Sequence, residues 1–420
     1  MAAASTLPVA MATETKDAHE KEMTPPALGK DLQDREFLFA PSVVYLNNGS
    51  YGAVPRQVFD AQQRLMRERE ANPEEWYRFS RLRRYKEAAE CVAEFVGAKP
   101  ENLVLVENVT TATNCIIKSF KFQAGDQILV SSHTYGAVLK AVNMIIDLQP
   151  GVSVVKIEIP FETTSEEIID RHTRALEENP GIKMAMLDHI TSASAIRMPL
   201  KELIALCRRH GALSVVDGAH CPGQIPLNLE EIEADFYFGN LHKWLFAARG
   251  CALFYVHPKH QSWIRTAISS HSTFAEELLE RFHYIGTRDN TPYYTAATAV
   301  AFHKSLGGLE HISAYNTELV TWAADMLASA WKTKVILREE SLRAPNMLLI
   351  VLPDTPKLAK YRCENGNYNL IYDLAQAGAG VAVTNEGSRL FARISAHVYN
   401  YKEEYYKLRD VVIKVLDVDV

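Results

Sequence analysis

A lysine and an aspartate, each placed after an apolar run typical of a strand, are the side chains best suited to joint chemistry. Asp217 directly follows Val215 and Val216, and Lys243 follows the next apolar run, which ends near Phe238. A carboxylate at the end of a buried strand loses hydration and usually needs a cationic partner. A lysine among apolar neighbours can have a lowered pKa, which covalent chemistry through its amine requires. Taken alone, each residue can be explained by an ordinary structural role. Their positions after successive predicted strands instead predict a shared site.

Polar residues follow the other predicted strands as well. Thr110 and Thr111 open a helix after the run 103–106, which is typical of an anion site but also of an ordinary helix cap. Tyr135 follows the run 128–130 and can either stack on a planar ring or pack as a structural tyrosine. The segment 188–192, which contains Thr191, can bind a ligand hydroxyl or make local turn bonds.

Together these residues match the needs of one cofactor. Pyridoxal 5'-phosphate requires a lysine for its aldehyde, a carboxylate for its ring nitrogen, a phosphate pocket, and an aromatic or imidazole group over the ring. The sequence supplies all four after successive predicted strands. We therefore predict pyridoxal 5'-phosphate as the cofactor and no metal.

The elements that must position these residues alternate regularly between residues 103 and 256. Short apolar strands separated by helices indicate an α/β fold with a mostly parallel sheet covered on both faces. Lys156 and Glu158 alternate with apolar residues, which favours an edge position for their strand. Ligands of such sheets bind beyond the carboxyl ends of the strands, where the residues above lie.

Three segments are expected along the chain. Residues 1–36 form a disordered N-terminal arm, because residues 1–26 lack hydrophobic periodicity. Residues 37–291 form the large cofactor-binding domain, with an N-terminal part that contributes to the substrate site. Long helical patterns followed by short strands predict a smaller α+β domain over residues 292–420.

Composition excludes several classes of protein. The chain has 420 residues, of which 47% are hydrophobic and 23% charged, and a formal net charge of −6. These values are typical of a globular protein and argue against nucleic acid or a membrane as partner. The six cysteines show no CxxC spacing, which favours reduced thiols. The first 26 residues contain acidic residues and no arginine, unlike a transit peptide, so we expect a cytoplasmic protein.

The motifs VVDGAHCPGQ, NLHKWLF, GTRD and ARISAHVYN complete the pattern. With them, the chain resembles the class V aminotransferase superfamily of pyridoxal-phosphate enzymes, from about Tyr45 to Tyr406. It is most similar to the group of plant-type L-cysteine desulfhydrases, hercynylcysteine sulfoxide lyases and isopenicillin N epimerase-like proteins. The resemblance implies the PLP-dependent transferase fold type I, an amino-acid substrate, and a homodimer with shared active sites.

The resemblance also implies roles for residues that match the family's motifs. Lys243 would bond the cofactor and Asp217 would pair with its ring nitrogen. The other residues implied to contact the cofactor are Thr110, Thr111, Thr191, His220, Asn240, His242 and, across the dimer, Thr287. Those implied to contact the substrate are Arg393, which would clamp the α-carboxylate, and Asn48 and Tyr51 in a turn over the substrate.

The reaction expected from this group is β-elimination at a carbon–sulfur bond, with release of pyruvate and ammonia. Tyr135 is the candidate proton donor to the leaving sulfur, with ring stacking as its competing role. Epimerisation and transamination share the same residues and stay open. Persulfide-forming desulfuration would need a nucleophilic cysteine, for which Cys363 is a weak candidate. A non-catalytic cofactor-binding scaffold would not need Lys243, Asp217 and Arg393 together.

Overall fold

Apolar and β-branched runs form the strands of this computed structural model, which describes residues 25–336, 339–363 and 365–418. Numbered along the chain, the strands are β1 (Val44–Tyr45), β2 (Leu103–Val106), β3 (Gln127–Ser131), β4 (Ser153–Ile157), β5 (Ile182–Asp188), β6 (Leu213–Asp217), β7 (Phe236–Asn240), β8 (Ala252–Val256), β9 (Met347–Val351), β10 (Ala379–Gly380), β11 (Ala382–Glu386) and β12 (Arg389–Ser395).

The central sheet has seven strands in the order β2-β8-β7-β6-β5-β3-β4. Strand β8 runs antiparallel to both of its neighbours, whereas the pairs from β7 to β4 are parallel. The prediction of a mostly parallel sheet is therefore confirmed. Strand β4 lies at the edge, as the alternation around Lys156 indicated.

Both faces of the sheet are covered. Successive residues of one strand point to opposite faces, and they pack into two different apolar cores. In β2, Leu103 and Leu105 belong to one apolar core, while Val104 and Val106 belong to another.

The α-helices are Lys30–Glu36, Asn48–Tyr51, Arg56–Ala71, Pro73–Glu75, Arg81–Phe95, Val109–Ser119, Gly136–Leu148, Ser165–Glu178, Leu200–Arg209, Leu229–Ile232, Leu241–Trp244, Leu278–Phe282, Thr291–Tyr294, Ala296–Ser305, Gly308–Ala330, Pro356–Ala359, Gly366–Gln376 and Lys402–Leu416.

Local sequence signals set several helix ends. Thr164 and Glu167 form a reciprocal capping box, in which each side chain accepts the backbone N–H of the other residue. The helix Ser165–Glu178 therefore begins directly after Thr164. Asn72 and Pro73 separate two further helices, because proline cannot continue the hydrogen bonding of a preceding turn.

The C-terminal part contains a second sheet of three antiparallel strands in the order β11-β12-β9. It packs with the helices Gly308–Ala330 and Lys402–Leu416 around a separate apolar core. Strand β1 from the start of the chain pairs in parallel with β10 of this part, and Val44 and Leu46 join its core. The N-terminal segment thus connects the two halves of the molecule.

Three details differ from the expectations. Residues 30–36 of the expected disordered arm form a helix that buries Leu32, whereas residues 1–24 lie outside the described residues. The predicted turn at 47–52 contains the short helix Asn48–Tyr51. The helix Ala296–Ser305, expected in the small domain, packs into the core of the large sheet through Ala296 and Phe302. In the parts of the chain described, no helix has the length and apolar character to cross a membrane.

Candidate active site

A cavity of about 250 Å³ lies at the carboxyl ends of β5, β6 and β7. The residues that line it are Ser50, Tyr51, Asn108, Val109, Thr110, Tyr135, Asp188, Ile190, Ser192, Asp217, Ala219, His220, Asn240, His242 and Lys243. Residues from eight predicted site positions therefore meet in one place. The reason is topological, since strands that run in parallel bring the residues after them to one edge of the sheet.

A larger cavity of about 730 Å³ is lined by apolar residues and, in nearly equal number, by polar and charged ones, among them His189, Arg197 and Glu231. His189 and Asp188 are consecutive at the end of β5, so their side chains lie on opposite sides of the strand. The larger cavity contains neither Lys243 nor Asp217. The presence of Lys243 and Asp217, and not the cavity volume, therefore identifies the smaller cavity as the candidate active site.

Lys243 is buried in the helix Leu241–Trp244, directly after β7. Its Nζ lies 3.2 Å from Nε2 of His220. Burial lowers the pKa of Lys243 to about 8, which the charge of Asp217 opposes and that of Arg393 supports. About one tenth of this amine is therefore neutral and nucleophilic at pH 7.

His220 is held in one orientation behind the lysine. Its Nδ1 accepts the indole N–H of Trp244 at 3.4 Å, which places the proton of a neutral ring on Nε2, beside Nζ of Lys243. Burial, reinforced by the charge of Lys243, holds the pKa of His220 well below its usual range. The imidazole is therefore neutral and does not compete with Lys243 as a base.

Asp217 ends β6 and lies at the bottom of the cavity. Its Oδ1 accepts the backbone N–H of Ala219 at 2.9 Å. Burial raises the pKa of Asp217, while the Ala219 N–H and the charge of Lys243 lower it. A cationic ring nitrogen at this position would stabilise the carboxylate further.

The N-terminus of the helix Val109–Ser119 faces the same cavity. Asn108 caps it by accepting the backbone N–H of Thr111 at 3.0 Å, and Oδ1 of Asn240 accepts that of Val109 at 3.2 Å. Thr110 lines the cavity, whereas the hydroxyl of Thr111 lies 3.4 Å from Asn108 and belongs to the cap. The helix terminus provides the positive potential that a phosphate requires.

Arg393 is a buried cation without an anionic partner among the described residues. Its guanidinium donates to the backbone oxygen of Ser192, to Oδ1 of Asn47 at 2.7 Å and to Oγ of Ser50 at 3.2 Å. Its Nε is buried and makes no hydrogen bond with any described residue. Burial lowers the pKa of Arg393 to about 10. Such a group is suited to bind a carboxylate, because none of the described residues supplies its counter-charge.

The segment that holds Arg393 also docks on the lysine helix. Nδ2 of Asn48 donates to the backbone oxygen of Lys243 at 3.0 Å, and its Oδ1 accepts the hydroxyl of Tyr399. Gly52 has a φ of +67°, and a Cβ atom there would clash with the backbone of His242. The side chain of Asn48 thus serves the fold, while Tyr51 lines the cavity and is exposed.

The remaining predicted residues differ in their distance from the cavity. Tyr135 lines it with 44% of its surface exposed, and burial followed by the charge of Asp217 raises its pKa. His242 also lines it, while its Nδ1 lies 3.0 Å from the backbone oxygen of Cys251. Thr191 is buried beside the cavity, where its hydroxyl lies 2.7 Å from Oγ of Ser194. Thr287 is exposed, outside the cavity, and 2.8 Å from the hydroxyl of Tyr284.

The arrangement fits pyridoxal 5'-phosphate. A partly neutral lysine, an aspartate on the next strand and a helix N-terminus face one cavity, which are the groups its aldehyde, ring nitrogen and phosphate need. The buried, unpartnered Nε of Arg393 adds a place for the carboxylate of an amino acid.

A family model described as Aminotransferase class-V matches residues 44–408. The chain belongs to the class V aminotransferase family. Membership indicates pyridoxal 5'-phosphate as its cofactor, in agreement with the fit above. The predicted resemblance is therefore confirmed.

Individual relatives are similar over most of their length. A putative L-cysteine desulfhydrase 1 of Oryza sativa subsp. japonica is 31% identical, over 89% of this chain and 83% of that protein. The hercynylcysteine sulfoxide lyase of Schizosaccharomyces pombe is 25% identical, over 90% and 95%. The isopenicillin N epimerase of Streptomyces clavuligerus is 27% identical, over 89% and 95%. The family and these relatives support a pyridoxal-phosphate-dependent carbon–sulfur lyase.

A solved structure confirms the fold. The apo cysteine desulfurase of Thermococcus onnurineus NA1 superposes with a TM-score of 0.73 at 18% identity, covering 94% of this chain and 100% of that one. The α/β fold of the PLP-dependent transferases is thereby shared.

Several site residues carry no motif and escape the sequence argument. The guanidinium of Arg393 is held by Asn47, Ser50 and Ser192. Asn47 and Ser50 lie near the start of the chain, whereas Arg393 lies near its end. Asp188 lies in a polar segment that the sequence does identify, but nothing in the sequence distinguishes it from its neighbours. The one available signal is that, like Asp217, it ends an apolar strand.

Proposed function

We propose that this protein is a carbon–sulfur β-lyase that acts on a cysteine-type amino acid and releases pyruvate and ammonia. The observation that carries the proposal is the buried guanidinium of Arg393, which has no anionic partner among the described residues and contacts Ser50 and Ser192 in the lining of the cavity that holds a partly neutral lysine. An α-amino acid offers the carboxylate that the arginine lacks, and the relatives named as desulfhydrase and sulfoxide lyase support sulfur as the leaving atom.

Each residue has a defined task in this proposal. When bound, pyridoxal phosphate supplies an electron sink for the α-carbon of an amino acid. Arg393 binds the carboxylate and so fixes the α-carbon near Lys243. The neutral amine of Lys243 accepts the α-proton at Nζ. The imidazole of His220, 3.2 Å from Nζ, is neutral and therefore adds no second positive charge beside the amine. Asp217 holds the ring nitrogen in its protonated form.

The leaving sulfur needs a proton, for which Tyr135 is the proposed donor. Its raised pKa means that the phenol keeps its proton at neutral pH. The ring also lines the cavity wall, so stacking on the cofactor is a second role compatible with its position.

Other reactions at the same residues are less well supported. Epimerisation requires a second acid on the opposite face of the α-carbon, and the isopenicillin N epimerase relative makes it the main alternative. Desulfuration requires a nucleophilic thiol, but Cys363 lies outside the cavity with its Sγ 3.4 Å from the backbone oxygen of Lys360.

Incubation of the loaded enzyme with L-cysteine and with hercynylcysteine sulfoxide tests the proposal. We expect pyruvate and ammonia in equal amounts from at least one substrate, and neither product with Lys243→Ala. Loss of α-deuterium to solvent together with a D-amino acid, and no pyruvate, would refute the lyase and identify an epimerase.

The proposal includes a homodimer and a cytoplasmic location. Thr287 is exposed and outside its own cavity, as a residue that reaches the phosphate of a second subunit should be. Sedimentation of the full chain as a dimer would support the first point. Fluorescence imaging of the tagged full chain tests the second, since one plant relative is named as chloroplastic.

A further inference from the structure

Two carboxyl groups stand side by side at the bottom of the candidate active site. Asp188 ends β5 and Asp217 ends β6, and the two residues are direct partners in the parallel register of these strands. Neighbouring strands lie about 4.8 Å apart, and paired residues point to the same face of a sheet. Both side chains accordingly line the same cavity.

The backbone leaves this pair little freedom to separate. The N–H of His189, the residue after Asp188, donates to the backbone oxygen of Asp217 at 2.9 Å. Asp188 and Asp217 have 5% and 7% of their surface exposed, so water can stabilise only a small part of each charge.

The two carboxyl groups differ in what can stabilise a negative charge. Asp217 accepts the N–H of Ala219, and Lys243 is its nearby cation. The side chain of Asp188 has no hydrogen bond or ion pair with any residue that the structure describes. Its pKa is raised well above the usual range by burial and then by the charge of Asp217.

We propose that Asp188 is a positioning residue that keeps its proton, so that Asp217 carries the single negative charge of the pair and alone faces the ring nitrogen of the cofactor. Two ionised carboxylates at this spacing in a dry cleft repel each other, and one of them stays protonated. The neutral O–H of Asp188 fills the position beside Asp217 without adding a second charge. The inference rests on the proposed use of Asp217 in the cofactor site.

The other titratable groups around Asp188 do not replace this proton. Those that line the cavity are Tyr51, Tyr135, Asp217, His220, His242 and Lys243. After β3, the other neighbour of β5, the first titratable residue is His133, whose Nδ1 lies 2.9 Å from Oγ of Ser194. Apart from the two aspartates themselves, only Lys243 among these groups affects the pKa of the pair, and it acts on Asp217.

Infrared difference spectra of the loaded enzyme test the proton directly. The spectrum of wild type minus Asp188→Asn at pH 7 should contain the carbonyl stretch of a protonated carboxylic acid. Wild type minus Asp217→Asn should contain carboxylate bands only. Absence of the protonated band in the first spectrum would overturn the proposal, whether or not the enzyme forms pyruvate.

The affinity for pyridoxal phosphate separates the roles of the two residues. Asp188→Asn preserves shape and neutrality, so its dissociation constant should stay within about threefold of wild type. Asp217→Asn removes the charge that pairs with the ring nitrogen and should weaken binding by roughly tenfold or more. Equal losses in both variants would show that Asp188 is ionised as well and would refute the inference.

Folding stability provides a matched control in a second buried aspartate. Asp235 forms an ion pair with Lys259 and lies 2.8 Å from Nε2 of His260, and against the effect of burial these contacts hold its pKa below the usual range. Its stabilising charge exists above the unfolded pKa of about 4, so Asp235→Asn should lower the melting temperature throughout pH 5–8. A protonated Asp188 instead costs stability as the pH rises, because the unfolded chain has already released this proton. The melting temperature of Asp188→Asn, or of Asp188→Ser if the first variant does not fold, should therefore rise relative to wild type from pH 5 to 8. A loss that parallels Asp235→Asn would contradict the proposal.

Discussion

Replacement of Arg393 by glutamine should separate substrate binding from folding stability. In the free protein this guanidinium is 4% exposed and has no anionic partner among the described residues. Burial brings its pKa down to about 10, which corresponds to a cost of roughly 3 kcal/mol for holding the charge in the folded state. The substrate carboxylate is expected to offset this cost only when it binds.

Two opposite effects follow from this balance. Loss of charge-assisted hydrogen bonds worth about 1.5–3 kcal/mol should lower kcat/KM roughly 10- to 150-fold, mostly through KM. The contacts with Ser192, Asn47 and Ser50 that are lost cost about 1 kcal/mol each, and the relief of the buried charge offsets this total. The free energy of unfolding should therefore change by only about 1 kcal/mol, far less than for a broken buried ion pair.

Arg389 offers a matched control on the same strand. It is partly exposed and pairs with Glu162 and Glu386 at the surface, so Arg389→Gln should leave KM unchanged. Pyruvate formation from L-cysteine measures the kinetic constants, and urea unfolding measures stability. If both arginine variants had the same KM, or if wild type used 2-aminoethanethiol as well as L-cysteine, the carboxylate role of Arg393 would be wrong.

Three further predictions concern Lys243 and Tyr135. Lys243→Ala should abolish pyruvate formation and the visible band of the bound cofactor, and a retained band would refute the assignment of this lysine. The amine of Lys243 must be neutral to react, and its pKa is about 8. The rate at which the cofactor-free chain binds pyridoxal phosphate should therefore rise about fivefold from pH 7 to 8 and less than twofold from pH 8 to 9. Stopped-flow absorbance measures this rate. Tyr135→Phe should lower kcat by about 100-fold or more with the cofactor band unchanged if the phenol donates a proton, whereas an unchanged kcat would leave stacking as its role.

The sequence places most residues predicted for the cofactor side close together, Thr287 excepted, because they lie at or soon after the ends of strands. Asp217 and Lys243 come together since β6 and β7 are neighbours in the sheet. Thr110 lines the cavity because its helix begins where β2 ends. In such a sheet, the position of a residue after a strand determines its position in space.

The substrate side is harder to predict, because its contacts join distant parts of the chain. Asn47 and Ser50 reach Arg393 only because the N-terminal segment pairs with the small domain, and no periodicity in the sequence indicates this pairing. The relation between Asp188 and Asp217 depends on register, which local patterns do not determine. The helix Lys30–Glu36 has a single buried residue, Leu32, too weak a signal to separate it from a disordered arm.

The pairing of β1 with β10 has a consequence for biosynthesis. Residues 103–256, which supply Asp217 and Lys243, leave the ribosome before Ala379 and Gly380 are made. Val44 and Tyr45 must wait for Ala379 and Gly380 at the far end of the chain before they find their partners. Because chains emerge from the N-terminus, all strands of the large sheet are synthesised before the N-terminal segment can pair with β10. The contacts of Arg393 with Asn47 and Ser50 are thus among the last to form.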